Sequence, residues 1–362
     1  MAPSPTRSGL LVLPHVIDEG LTGATILDLT DPRWGDFVAG HPDATPFHHP
    51  GWAGLIASCY GFRAFALVVS DATGAIQAGL PVVEVRHLHG RPHWESLPYT
   101  DYCPPLASAR GEQEQLVAAL RQAGCAAGAR RIEVRAPLPD GSVPGRPALR
   151  HVLALDAGVS RVHAGFHRSQ VQRNIRRAER EGLTVRRATH PPDLLDIFYG
   201  LHLRTRRRQG VPVQPRRFFR LLWENMISTG LGSVLIVEAS GQPVAAAVFL
   251  AWNKTMIYKF GASDASAWPL RPNHMLFWHA IRTACAQGYR WFDFGRTDAG
   301  QEGLRNFKLT WGATEEPLVY ATLSGPVPAS RGRAARILGP AIRHGPLLLC
   351  RATGEAFYRY TA

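Results

Sequence analysis

Two separated stretches of this chain repeat one local pattern, and the repetition limits the fold more than any other feature. Cys125-Ala-Ala-Gly128-Ala-Arg130-Arg-Ile-Glu133 aligns with Cys285-Ala-Gln-Gly288-Tyr-Arg290-Trp-Phe-Asp293. Each reads as a helix that stops at a glycine, followed by a short strand carrying a carboxylate. Glycine suits that stop because it takes the left-handed backbone conformation without a Cβ penalty. Upstream of each stretch lies a hairpin pattern, VVSDATGAIQAGLPV in one case and IVEASGQPVAAAVFL in the other. Two copies of one α/β unit explain this economically; chance similarity among helix-Gly-strand segments is the competing account.

A chain of 362 residues has room for two such units and a sizeable core. No apolar run approaches the ~20 residues that cross a bilayer. The early segment GLLVLPHVI is broken by Pro14 and followed by Asp18-Glu19, so it does not read as a signal peptide. Five cysteines without CxxC spacing suggest buried, reduced thiols of a cytoplasmic protein. The histidines form no HExxH motif, and no metal is expected. A net charge of +13 favours a polyanionic partner such as nucleic acid, a nucleotide-linked substrate or a membrane surface. A solvated basic face is the plain alternative. Positive charge is almost all arginine; the three lysines, Lys254, Lys259 and Lys308, fall between Asn253 and Gly312. There a compact ammonium replaces the planar guanidinium fork, unless all three are ordinary surface residues.

Strands and helices alternate along the chain. ATILDL, RAFALVVS with AIQAGLPVVEV, RPHWESLP and RRIEVRAP read as strands, with helices near 50–60 and over GEQEQLVAALRQAG. YTDYCPPL is an irregular loop, and 137–147 is the most linker-like stretch. The second half opens on the strand RHVLALD and a long basic helix from about Val162 to Glu181. Helices near 192–208 and 216–228, the second hairpin, the strand TMIYKFG, a helix over HMLFWHAIRTACAQG and the strand RWFDFG follow. PLVYATL is a last strand, before an Arg-rich tail from Ser330 that ends in a helix.

In this order the second half resembles the Fem-type aminoacyltransferases and the related BioF2-like acyltransferases of the GNAT superfamily. The residues that carry the resemblance are Tyr258-Lys259-Phe-Gly-Ala-Ser263-Asp264, Asn273 with Trp278, Gly288-Tyr289 with Phe292-Asp293-Phe294-Gly295, and Gly303 with Phe307-Lys308. The match is best over about 160–323, while TPFHHPGW, GLPV and SLPYTDY fit the group's first half. The resemblance implies an α/β fold of two tandem GNAT-like domains, a duplicated mixed-sheet unit with an inserted basic helix. The divisions expected are a flexible N-terminus over 1–20, a first domain over 21–150, a second, catalytic domain over 151–325 containing the basic helix 162–181, and a basic C-terminal tail over 326–362. The activity implied is transfer of an aminoacyl group from aminoacyl-tRNA to an amine of a cell-wall precursor or natural product, without metal, bound cofactor or covalent enzyme intermediate. Acyl-CoA-dependent N-acylation on the same fold is the alternative, and a non-catalytic basic binding module is the third reading.

Aminolysis of an ester needs a neutral amine, a proton acceptor and donors for the tetrahedral oxyanion. No GxSxG nucleophile elbow is present. The resemblance implies that Phe307 and Lys308 sit at a splayed strand, Phe307 presenting its backbone and Lys308 holding a terminal phosphate or developing charge; a strand-edge lysine reaching solvent is the bland alternative. Asp293, between two phenylalanines, reads either as a proton acceptor or as an ion-pair partner of Arg296 or Arg290. Tyr258, Lys259, Asp264, Asn273 and Arg296 fall where acceptor contacts are implied, although core packing also explains Tyr258. Thr205 and Arg208 are candidates for an acceptor phosphate or carboxylate. At 100° per residue, Arg173, Arg176, Arg177 and Arg180 lie opposite Val171, Ile175 and Ala178. That stripe suits a phosphate backbone or, balanced by Glu179 and Glu181, plain solvent. The letters of a GNAT pyrophosphate loop occur at Arg121-Gln-Ala-Gly124-Cys-Ala126, but at a helix end where no amides are free, so they read as coincidence.

Overall fold

The structure, a computed structural model, describes residues 24–86, 90–138, 143–144, 148–326 and 332–361; the expected flexible N-terminus over 1–20 lies outside them. The first unit starts with β1 (Ala24–Leu27), α1 (Pro32–Gly40) and α2 (Pro50–Tyr60), followed by the hairpin of β2 (Arg63–Ser70) and β3 (Ile76–Val85). The Asp71 carboxylate shapes that hairpin turn by accepting from the Thr73 and Ala75 amides, with Gly74 at φ +86°. β4 (His93–Glu95) and the short β5 (Leu106–Ala107) both pair with β3. Helix α3 (Arg110–Ala126) then crosses to β6 (Ile132–Val134), parallel to β4, before β7 (Val143–Pro144).

The second unit opens on β8 (Ala148–Ala154), α4 (Val159–Ala164), α5 (Arg173–Arg180), β9 (Thr184–Arg187), α6 (Tyr199–Gln209) and α7 (Arg216–Leu222). It continues with β10 (Gly232–Ala239), β11 (Gln242–Trp252) and β12 (Thr255–Ser263), then α8 (Pro272–Ala286) and β13 (Trp291–Asp298). α9 (Glu302–Leu309) and β14 (Thr314–Leu318) complete it. Ser240 and Gly241, both at positive φ, make the two-residue β10–β11 turn. The chain then returns to the first sheet as β15 (Ala321–Ser324), which pairs with β6 and β7.

The sheet orders are β1-β2-β3-β4-β6-β15-β7 and β9-β10-β11-β12-β13-β8-β14. Apart from β5, which pairs with β3 off this path, they correspond strand for strand, down to one parallel pair in each, bridged by α3 or α8. The duplication inferred from two helix-Gly-strand segments is thus the architecture. Gly128 (φ +67°) and Gly288 (φ +76°) follow the two crossover helices, and in both a backbone N–H just beyond the glycine reaches back into the last turn. The strand beside the parallel pair is out of sequence order in both sheets: β8 opens the second unit, and β15 joins the first sheet only after the second unit is complete.

Three expectations change, on the basic helix, the last strand and the cysteines, while the helix expected at the end of the basic tail is present. The basic segment 162–181 is not one helix: α4 stops at Gly165, and His167 caps a new helical run by accepting from the Gln170 amide. PLVYATL divides between β14 and β15. The basic tail folds as α10 (Gly332–His344) and α11 (Leu347–Phe357), with Ile342, Cys350 and Tyr358 buried in the main core. Of the cysteines, Cys59, Cys103 and Cys350 are buried, but Cys125 is exposed and Cys285 half-buried. No described helix is long and apolar enough to cross a membrane.

The returning strand is pinned where it ends. Gly325 has φ +81°, and a Cβ there would lie 2.1 Å from the Arg130 carbonyl oxygen. Gly325→Ala should lower the unfolding free energy by roughly 2 kcal/mol or more, since strain adds to a backbone clash. Gly300→Ala, at φ +87° with nothing within 4 Å, should cost only about 1 kcal/mol. Urea denaturation of both variants checks the contrast.

Candidate active site

The two parallel pairs differ in what happens after they separate. In the first unit the opening past Glu95 and Glu133 is closed by its own loop: the Ser96 and Cys103 amides donate to the Glu133 and Arg135 carbonyls. The Ser96 hydroxyl also accepts from the Arg135 amide at 2.7 Å. In the second unit the pairing ends at Ile257 and Asp293. β12 then bulges at Lys259, its pairing with β11 stepping from Tyr258 to Phe260, and β13 kinks at Gly295 (φ +72°). A bulge leaves one residue unpaired and re-aims its neighbours, a device common beside reactive sites.

Side chains hold both faces of the Gly295 peptide. Its N–H donates to Asp293 Oδ1 at 2.7 Å, and its carbonyl accepts from Lys308 Nζ at 2.8 Å. Lys308 also donates to the Arg296 carbonyl at 3.0 Å. The other Asp293 oxygen takes a 2.7 Å bond from Arg150 Nε. The ion-pair partner is therefore Arg150 on β8, not Arg296, which binds Asp298 at 2.6 Å, nor Arg290, which faces Asp156 at 3.6 Å.

Lys308 and Phe307 lie on α9 rather than on a strand. Glu302 in the first turn and Lys308 in the last match the helix dipole, which favours helix over strand for this segment. The Phe307 carbonyl accepts from the Thr310 hydroxyl, and its ring packs with His274, Phe277 and Trp311. Lys308 is only 3% exposed, so its ammonium braces β13 from behind.

The first unit reaches into the second unit's opening through the 97–101 loop, where Leu97 and Tyr99 take positive φ. Lys259 Nζ donates to the Tyr99 carbonyl at 2.8 Å and lies 3.4 Å from Asp101 Oδ2. The rings of Phe47 and Trp52 flank this ammonium. Asp101 also lies against Gly295: a Cβ there would sit 3.4 Å from Oδ2 and 3.3 Å from the Tyr258 carbonyl. With its side chain 27% exposed, Asp101 is reachable from solvent, whereas the Asp293 side chain is 5% exposed. The sequence reading assigned no role to Asp101, Arg150 or a kink at Gly295; the available signals were that YTDYCPPL breaks the strand pattern and that SLPYTDY and Gly295 belong to the segments that carry the resemblance.

Further residues gather at the far end of β12. The Thr205 hydroxyl accepts from the Ser263 amide, and Arg208 reaches the Ser263 carbonyl while lying over the half-exposed Trp268 ring at 4.9 Å. Among the described residues Arg208 has no ion pair, and burial lowers its pKa. Asp264 is occupied in capping the next turn, accepting from the Ser266 amide and hydroxyl, which hold its pKa down. Tyr258 folds back over Gly261, where a Cβ would collide with its hydroxyl, and burial pushes its pKa up to about 12. Asn273 stands in the first turn of α8, which no side chain caps. Its neighbour His274 is held neutral, its pKa lowered to about 4 by burial and then by Arg271. Arg173, Arg176 and Arg180 are exposed and Arg177 half-exposed, the last 3.5 Å from Glu181, while Val171, Ile175 and Ala178 are buried on the other face. The Arg121–Ala126 letters fall in the last turns of α3, where a Cβ on Gly124 would meet Ile132 at 2.4 Å.

Burial brings the Lys308 ammonium from its ordinary 10.5 to about 8, against the opposing pull of Asp293, Asp101 and Asp298. The folded chain thus binds this proton less tightly than the unfolded chain. The native state is penalised in full below pH 8, and the penalty fades as pH rises toward 10.5. Relative to Lys308→Met, the wild type should gain roughly 3 kcal/mol of stability across that window. Paired urea titrations at successive pH values measure it, and a flat difference would contradict the burial argument.

Comparison with known proteins places this geometry. Residues 165–309 match the family described as an acetyltransferase (GNAT) domain. No curated protein matches the sequence. FemX is similar in fold at 16% identity and TM-score 0.66, over 83% of this chain and 97% of that one. L-PGS from Bacillus licheniformis shares 13% identity at TM-score 0.55, over 88% and 99% of the two chains. The C-terminal domain of a putative lysylphosphatidylglycerol synthetase from Agrobacterium fabrum shares 16% at TM-score 0.53, over 85% and 94%. The matched segment spans the second unit's parallel pair, and the paired sheets recur in FemX, so the fold is that of two tandem GNAT-like units.

Proposed function

We propose that this protein forms an amide bond by moving an aminoacyl group from aminoacyl-tRNA to the amine of a small-molecule or cell-wall-precursor acceptor. The observation that carries the reading is Asp101, a solvent-reachable carboxylate from the first unit, set against Gly295 where β12 and β13 part. An acceptor amine entering there arrives as an ammonium, and Asp101 takes its proton. The nitrogen then attacks the ester carbonyl, and backbone N–H groups freed by the β12 bulge stabilise the oxyanion. The C–N bond forms and the C–O bond to the ribose breaks; the second N–H proton passes to the leaving oxygen, and Asp101 releases the first to solvent. Arg208 over Trp268, with no ion pair among the described residues, offers a guanidinium for an acceptor phosphate or carboxylate. Lys308 acts in this scheme as a positioning residue that fixes the Gly295 and Arg296 carbonyls.

Aminoacyl-tRNA is favoured over acyl-CoA by the segment joining β12 to α8. Where a glycine-rich turn would cradle a pyrophosphate, this chain has Ala265–Leu270 with Trp268 and Pro269. The exposed arginines of α5 and the net charge of +13 suit a polynucleotide. The FemX and L-PGS folds agree with an aminoacyl donor, and a cytoplasmic setting follows from that donor.

Charged tRNA or acyl-CoA donors, incubated with a panel of amines with and without ribonuclease, test the proposal. Amide formation should need charged tRNA and vanish with ribonuclease; turnover that survives ribonuclease with acyl-CoA overturns it, and no turnover with Lys308→Ala unchanged in ligand binding favours the non-catalytic module. Asp101→Asn should reduce kcat by about 100-fold, with its urea midpoint near wild type. Arg173→Glu with Arg177→Glu should weaken tRNA binding and flatten log K against log salt by roughly one to two units of slope. Filter binding from low to moderate salt reads that change directly.

A further inference from the structure

The exposed apolar side chains of this protein are unevenly spread. Among the described residues eleven large hydrophobic side chains are exposed, and six of them lie at the C-terminus: Leu338, Leu347, Leu348, Leu349, Phe357 and Tyr360. Leu348 is 73% exposed and Phe357 56%. They fall on α10 and at the two ends of α11, whose anchors Leu348 and Phe357 are about 14 Å apart along the helix at 1.5 Å per residue. Arg343, Arg351 and Arg359 are exposed among them. From Gly332 to Thr361 the sequence has one carboxylate, Glu355, which already accepts from the Arg216 amide at 3.0 Å.

We propose that α10 and α11 form a docking surface for an anionic lipid bilayer. Arginine-flanked leucine and phenylalanine match such a surface in both respects: the rings and alkyl groups enter the acyl boundary while the guanidinium groups meet lipid phosphates. α11 is far too short to span a bilayer, so it lies in the interface. A polynucleotide would use the arginines but not the leucines. A second copy on a two-fold axis would bring arginines against arginines, because such a contact sets one patch on itself. The surface is tied to the rest of the fold. Ile342, Cys350 and Tyr358 anchor it in the main core, and the Tyr358 carbonyl accepts from the Tyr99 hydroxyl, two residues before Asp101. Docking would therefore hold the Asp101 loop near the lipid surface. The proposal does not depend on the acyl donor.

Co-sedimentation of the full chain with phosphatidylcholine vesicles, with and without about 30% phosphatidylglycerol, tests it. The expected result is binding to the anionic vesicles alone, reduced roughly tenfold by Leu348→Glu and similarly by Arg351→Glu with Arg359→Glu. These side chains are exposed, so circular dichroism of the variants should match wild type. No binding to anionic vesicles overturns the proposal, as does binding that Leu348→Glu leaves unchanged, which would mean general basic attraction. Two other outcomes also overturn it: a dimer in light scattering that Leu348→Glu dissociates, or tRNA affinity lost in that variant.

Discussion

The kink at Gly295 is the constraint on which the candidate site depends. A residue at positive φ in mid-strand breaks the ladder and leaves its own amide and carbonyl in need of partners. Here a carboxylate and an ammonium supply them, Asp293 on one side and Lys308 on the other. Each partner is itself constrained: Arg150 holds Asp293 at 2.7 Å, and burial in α9 holds Lys308. Removing one member of such a buried charged set leaves the others unsatisfied, which explains why three elements meet at one peptide. The outcome is a fixed divergence of two parallel strands, with Asp101 at its mouth.

The duplication makes the asymmetry between the units informative. Glu133 and Asp293 occupy matching places in matching parallel pairs. In the first unit Arg135, just past the end of β6, supplies the counter-charge, and Ser96 and Cys103 close the gap with their own amides. The second unit instead takes its arginine from β8 and admits a loop of the first unit. One copy has become scaffold and the other carries the opening. The return of β15 binds the two, because the first sheet takes strands from both sides of the second unit, whereas the second sheet is built from one segment, 148–318. The shared core reinforces this, since Trp52 of α2 packs edge-on against Phe218 of α7.

Much of this was legible locally. The glycine stops after the crossover helices, the hairpins at Asp71 and Ser240-Gly241, and the apolar face of Val171, Ile175 and Ala178 depend on neighbours a few residues apart. Local pattern misled where a long-range contact prevails. The 162–181 segment has unbroken helical periodicity, yet the chain turns at Gly165 because the His167 amide is drawn to the Thr310 carbonyl. The partner of Asp293 was sought among nearby arginines, but it stands 143 positions away on a strand that joins the sheet out of order. Asp101 lay within the quoted SLPYTDY segment but carried no role there, since its placement comes from a loop conformation with two residues at positive φ.

By itself, then, the sequence determined the repeated unit, its element order and a basic chain suited to a polyanion, because periodicity, turn chemistry and net charge are properties of adjacent residues and of their sum. Only the tertiary structure decided that Lys308 braces a strand from a helix, that Asp293 answers to Arg150, and that Asp101 of one unit faces Gly295 of the other. Those relations rest on which distant segments share a sheet or meet at an opening, and hydrogen bonds of about 2.7 Å between them have no trace in local spacing.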